Sequence, residues 1–259
     1  MRILLLKSSL LQAGTCGTGR HILLVHWSDS TGHRMADSGS SSDSDSEPDP
    51  RTKALFQAIR DGDLTTLDRL VQQDPSVLQL KDESGHPLMC VAARHGQLGV
   101  VDYLADQDVP LDQAGWYGRT PLMRAAWRGH GDVVARLVTL SASLTMEDDY
   151  GWTALHWAVR GEDPGTVSLL LQHGVPVNPV NKEGWTPLHT ASYWGHPALV
   201  DLLVAQGADM KIQDRDGDSP LHRAARENEA KAVARLVALG SPVHLVRTFL
   251  TPLLPTKGE

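Results

Sequence analysis

The chain has 259 residues, 24 Lys plus Arg against 31 Asp plus Glu and a formal net charge of −7, a balance that argues against a nucleic-acid partner. Its 41% of hydrophobic residues suffice for one or two packed domains. No stretch reaches the roughly 20 uncharged apolar residues of a membrane-spanning helix. Cys16 and Cys90 stand far apart and outside any Cys-x-x-Cys spacing, which excludes a disulfide framework or a Cys-rich zinc site and makes a reducing, intracellular compartment (cytoplasm or nucleus) the expectation.

Residues 1–34 carry Arg2, Lys7, Arg20 and Arg34 against one acid, Asp29. The run from Ile3 to Leu11 resembles a signal-peptide core, but Lys7 splits it and no small-x-small site follows closely. A mitochondrial presequence is the alternative, although Gly14, Gly17 and Gly19 interrupt its amphipathic helix. The reading adopted is an unstructured upstream extension, with Met35-Ala36-Asp37 the more natural start. Residues 35–50 carry five acids and no base, and from Ser38 onward lack large apolar side chains, so they are expected to form a disordered acidic tail. Ser40, Ser42 and Ser44 each have an acid three residues on, a spacing that resembles acidophilic kinase substrates; a plain solvating leader fits as well.

Past position 50 a period of 33 residues takes over. Gly85, Gly118, Gly151, Gly184 and Gly217 stand at that interval, with Thr120-Pro121-Leu122, Thr153-Ala154-Leu155-His156, Thr186-Pro187-Leu188-His189 and Ser219-Pro220-Leu221-His222 in register. These strings resemble the ankyrin-repeat family over about residues 51–247. The resemblance implies an all-α solenoid of helix-turn-helix units joined by β-hairpin turns. Local chemistry leads to the same element order. Gly184 supplies a tight turn, Thr186 an N-cap and Pro187 a first helical residue whose missing N–H costs nothing. The helix ends at Gly195, and a second one from Pro197 carries an apolar face of Leu199, Val200, Leu202 and Leu203 before Gly207 closes it. Such a pair buries its apolar face by stacking on its neighbours.

The expected domain map is a capping repeat at 51–81, repeats at 82–114, 115–147, 148–180, 181–213 and 214–246, and a short tail or truncated repeat at 248–259. Gly62 marks the inter-helix turn of the capping repeat. The second unit departs from the pattern, because Pro87, Leu88, Met89 and Cys90 replace the Thr-Pro-Leu-His string and predict a looser helix start.

The 12 histidines invite a metal or acid–base site, yet His156, His189 and His222 are the fourth residues of the repeated string, and His130 and His196 belong to the family's Gly-His turn. They fall one repeat apart rather than together, and no His-x-x-x-His, Glu-x-x-His or phosphate loop is present, so no catalytic residue, metal or cofactor is expected. Cys90 reads as a small buried hydrophobe.

Within the family the partner-facing positions are the two residues before the turn glycine, the one after it, and the last two of the first helix. Here they are Trp116, Tyr117, Arg119, Trp127 and Arg128; Asp149, Tyr150, Trp152, Arg160 and Gly161; and Lys182, Glu183, Trp185, Tyr193 and Trp194. Eight of the chain's 13 aromatics occupy them, while the flanking units carry polar residues at the same places. An aromatic centre with a polar rim has the anatomy of a protein interface, and Arg119, Arg124, Arg128 and Arg160 suit a partner with apolar and acidic residues. Since Leu, Val and Ala fill a repeat core, none of these tryptophans is expected to be needed for folding. Trp152 and Trp157 also resemble the partial cage of ankyrin domains that read methylated lysine, but Val159 and Arg160 stand where an acidic wall belongs. Leu170 and Val177-Asn178 are similar to an asparagine-hydroxylation pattern, with Pro176 replacing the usual Asp.

The expected function is a non-enzymatic interaction module holding a protein or peptide partner on repeats three to five. The alternative is an adaptor or regulatory subunit, of the ubiquitin-ligase substrate-receptor or kinase-inhibitor type, against which the 12 short, Pro-rich residues after Arg247 argue. The sequence carries no signal for an oligomeric state.

Overall fold

The computed structural model describes residues 49–242; Ser40, Ser42 and Ser44, residues 1–34 and the tail 248–259 lie outside them. Among the described residues twelve α-helices follow one another as six pairs. They are α1 (Pro50–Asp61) and α2 (Leu64–Gln73), α3 (Leu88–Arg94) and α4 (Leu98–Asp106), and α5 (Pro121–Arg128) and α6 (Gly131–Thr139). Then come α7 (Ala154–Arg160) and α8 (Pro164–Gln172), α9 (Pro187–Tyr193) and α10 (Pro197–Ala205), and α11 (Pro220–Arg226) and α12 (Ala230–Ala238). The first helix starts at Pro50, one residue ahead of the expected boundary. There the Asp49 carboxylate accepts from the Arg51 N–H and Pro50 fills the first turn.

A hairpin precedes each later pair. It is closed by one backbone bond of 2.9 Å, from Asp82, Gly115, Asp148, Asn181 and Asp214 N–H to the carbonyl four residues on. Four of these five lead residues reinforce the turn, their Oδ1 accepting from the N–H groups two and four residues ahead, as Asp148 does from Tyr150 and Trp152. The repeated glycines have left-handed φ, +77° at Gly151 and +81° at Gly184, a region that side chains other than glycine avoid.

Helix starts follow the repeated string. At α7 the Thr153 N–H and hydroxyl both lie on His156 Nδ1 (3.2 and 3.0 Å), and Nε2 donates to the Trp185 carbonyl of the next hairpin at 2.9 Å. His189 makes the same pair of contacts with Thr186 and with the Asp218 carbonyl. Each imidazole thereby caps its own helix and fastens the following unit. Burial holds both neutral, lowering the pKa of His156 to about 4 and that of His189 in the same direction. At α3, where Pro87 replaces the N-cap Thr, no side chain caps the helix.

The first helices α1, α3, α5, α7, α9 and α11 stack in one row and the second helices α2 to α12 in another. Between the rows runs one continuous core of Leu, Val, Ala and a few Met, from Leu55 to Leu236. Cys90 is buried within it, its thiol 3.4 Å from the Gln113 carbonyl and pushed up to about 12 by burial, so it is an inert thiol.

Candidate protein-interaction face

Units of equal length superpose equivalent residues, so hairpin tips and first-helix ends align along one side of the stack. At the tips Trp116 and Tyr117 stack with centroids 4.5 Å apart, and Tyr117 meets Tyr150 of the next unit at 5.7 Å. Tyr117 holds φ +60°, a left-handed conformation costly for a β-carbon, while its carbonyl accepts from Asp149 N–H. Trp116 and Tyr150 are 51% and 44% exposed.

At the centre the structure gathers residues that the repeat spacing separates. Trp157 lies 5.7 Å edge-on from Trp127 and 5.2 Å from Trp152. Its indole N–H donates to Asp148 Oδ2 at 3.1 Å, the same carboxylate whose other oxygen builds the hairpin. Burial pushes the Asp148 pKa upward, against the pull of these donors and of Arg119, whose Nε lies 3.7 Å away. The Arg119 guanidinium covers the Trp157 ring at 4.1 Å. Arg160 sits among four indoles, its guanidinium carbon 5.1 Å from Trp157, 5.5 Å from Trp194, 5.9 Å from Trp127 and 6.0 Å from Trp152. Arg128 lies over Trp127 at 4.6 Å.

Toward the C-terminal side Tyr193 bridges Trp185 (5.0 Å) and Trp194 (5.2 Å), and Trp194 is 45% exposed. Beyond it chemistry turns acidic. Asp214, Asp216 and Asp218 bring their oxygens within 4.8 Å of one another, as carboxylates round a cation would. The cation present is Arg223, bonded to Asp214 and Asp216 at 2.6 Å each and seated on the Trp185 ring at 5.1 Å, while Arg226 pairs with Asp218 at 2.8 Å. The trio is therefore already committed to two guanidinium groups. At the N-terminal side Arg124, 2% exposed, packs on the His86 ring 3.2 Å from Nε2. His86 is held neutral by burial and by Arg124, with its pKa near 4.

Two expectations change. Arg119 is 5% exposed, because the planar cation fills the gap between Tyr117, Trp157 and Asp148; it supports the face from inside instead of meeting a partner. Nor do all of the tryptophans stand clear of the core. Trp127 and Trp152, both in the set expected to stand clear of the core, pack against it, and Trp157 is 2% exposed within it. The Trp152–Trp157 pair is filled by Arg160 and Arg119 rather than open to a methylated lysine. Asn178 braces the following loop, accepting from the Asp209 N–H at 3.0 Å. Asp148 and Trp157 organise the centre; Trp157 was singled out only for its likeness to a methyl-lysine cage, and Asp148 not at all. The signal was available at the lead position of the hairpin, where Asp82, Asp148, Asn181 and Asp214 recur.

Known proteins resemble the chain along this same stretch. A family model described as ankyrin repeats in three copies matches residues 55–148 and again 134–214. An ankyrin repeat and SAM domain-containing protein of Rattus norvegicus is 30% identical over 135 residues, 51% of this chain and 15% of its own length. The probable E3 ubiquitin-protein ligase XBOS33 of Oryza sativa subsp. japonica is 33% identical over 129 residues, 49% of this chain and 25% of its own. The chain thus spans a quarter or less of these two relatives. Among solved structures, a chain in the complex of a predatory endopeptidase from Bdellovibrio bacteriovorus with an immunity protein superposes with a TM-score of 0.64 and 29% identity. It covers 72% of this chain and 97% of that one.

Proposed function

The chain belongs to the ankyrin-repeat family, whose repeats mediate protein–protein interaction, and from that premise we propose that it works without catalysis, by holding a partner protein on the aromatic face of its central units. The observation that carries this reading is the exposure of three large rings, Trp116, Tyr150 and Trp194, in three successive units. Large exposed rings bordered by charge are the usual anchors of an interface. Trp127, Arg128, Trp152, Arg160, Trp185 and Tyr193 form the floor and rim between them. A partner segment with apolar and acidic residues complements the rings and the arginines together.

A second reading is an adaptor that brings an enzyme to its target, favoured by the relatives named as E3 ubiquitin-protein ligases, which match 49% and 40% of this chain. Both readings place the partner on the same face. The test is affinity capture with the wild-type chain against a Trp116→Ala, Trp194→Ala double variant that keeps its melting temperature. A partner retained equally by both overturns the assignment of this face.

A further inference from the structure

The ends of the first helices carry a charge pattern at odds with the chain's net −7. Two residues ahead of the left-handed position that closes each first helix (Gly62, Gly96, Gly129, Glu162, Gly195 and Asn228) stand Arg60, Arg94, Trp127, Arg160, Tyr193 and Arg226. One residue ahead stand Asp61, His95, Arg128, Gly161, Trp194 and Glu227. From α1 to α7 these two columns hold four arginines and one carboxylate, Asp61, which is engaged by the Gln57 amide at 2.8 Å. Glu162, just past Arg160, faces His196 at 3.3 Å. Arg94, Arg60 and Arg128 all act on His95, whose pKa is depressed by burial first and then by these cations and His130.

Arg160 is the best organised of them. Four indoles hold its guanidinium in place, so little side-chain freedom remains to be lost on binding. A planar guanidinium receives a carboxylate through two parallel N–H bonds, and its field is stronger beside indoles than in open water. The same rings are poor seats for a cation, because Arg119, Arg128 and Arg160 already lie over them. Exposed Trp194 beside Arg160 offers an apolar seat next to the charge.

We propose that Arg160 is the receptor for a carboxylate of the partner, and that the partner's contacting segment is acidic, running along Arg160, Arg128 and Arg94 with an apolar side chain against Trp194. The proposal rests on the reading of this face as protein-binding and names the chemistry it selects.

A displayed library of random dodecapeptides tests both. Selection on the full wild-type chain is expected to enrich Asp and Glu beside an aromatic or aliphatic residue. A selected peptide, once synthesised, should bind Arg160→Gln about tenfold more weakly, with affinity falling steeply as salt rises. Arg160→Lys keeps the charge without the planar fork and should also lose affinity, which serves the comparison should Arg160→Gln melt early. Enrichment of basic or uncharged peptides, or an acidic peptide bound equally by wild type and both Arg160 variants, overturns the carboxylate receptor while leaving the face as an interface. No enrichment, or peptides indifferent to Trp116→Ala and Trp194→Ala, overturns the broader reading as well.

Discussion

The backbone of Gly161 lies directly against Trp127, so close that a β-carbon at position 161 would overlap the Trp127 carbonyl oxygen. Equivalent positions in neighbouring units hold His95, Arg128, Trp194 and Glu227, so bulk is tolerated elsewhere and refused here. The φ of Gly161 is −74°, an ordinary helical value, which makes the constraint one of space rather than backbone conformation. The gap it preserves lets α7 close on α5 and brings Arg160 under the Trp127 ring.

Gly161→Ala is accordingly expected to destabilise the fold by about 1–3 kcal/mol through overpacking against rigid backbone. Urea unfolding measures it. An alanine variant as stable as wild type would show that α5 and α7 can separate without cost.

Tyr117→Gly should separate folding from binding. Glycine relieves the left-handed strain, worth about 1–2 kcal/mol, and this offsets the lost contacts with Trp116, Tyr150 and Arg119 and glycine's greater unfolded-state freedom, so stability should change by about 1 kcal/mol or less. Removing the ring should nevertheless weaken the partner. A variant that melts several degrees lower would mean that Tyr117 is held for packing alone.

Tryptophan truncations should divide by burial. Trp157→Ala removes a core ring and leaves Asp148 Oδ2 without its indole donor, at about 3–5 kcal/mol, comparable with Leu188→Ala at about 2–5 kcal/mol. Trp194→Ala, at an exposed site, should change stability by about 0.5 kcal/mol or less. Similar melting temperatures for Trp157→Ala and Trp194→Ala would contradict this division.

Stability should fall on mild acidification. A histidine whose folded pKa is depressed is neutral in the fold, so its contribution is complete above its unfolded value of about 6.5 and is lost as pH drops toward its folded value. His156, near 4, sets a window from about pH 6.5 to 4 and a loss of up to about 3 kcal/mol; buried His189 acts in the same sense. Asp148 and Asp218, raised by burial, act in the opposite sense in the lower part of that window. Denaturant titrations at pH 7 and pH 5 should show the loss, and His156→Gln, less stable throughout, should show a shallower slope. A flat profile in the wild-type chain would rule out burial of neutral histidine as a pH-sensitive fastening.

The period of 33, the left-handed glycines, the Thr and Ser caps and the helix pairs were legible in the chain because each depends on residues a few positions apart. The missing side-chain cap of α3 at Pro87 could be anticipated on the same ground. The place of His156 and His189 in a repeated string marked them as parts of the repeat and not of a metal or acid–base site, while their bonds to the next hairpin's carbonyls came from the structure. What the amino acids alone did not decide was which tryptophan faces the core and which faces water. Trp157 and Trp194 are equally apolar, yet one is closed over by Arg119 and held by Asp148 while the other ends a helix at the rim. The ring of indoles round Arg160 draws on residues 127, 152, 157 and 194, from three successive units, and Gly161 has its meaning from a carbonyl 34 positions earlier. Local propensity fixes where each helix begins and ends; burial and the pairing of charges are properties of neighbours in space, and stacking of the units alone brings those neighbours together.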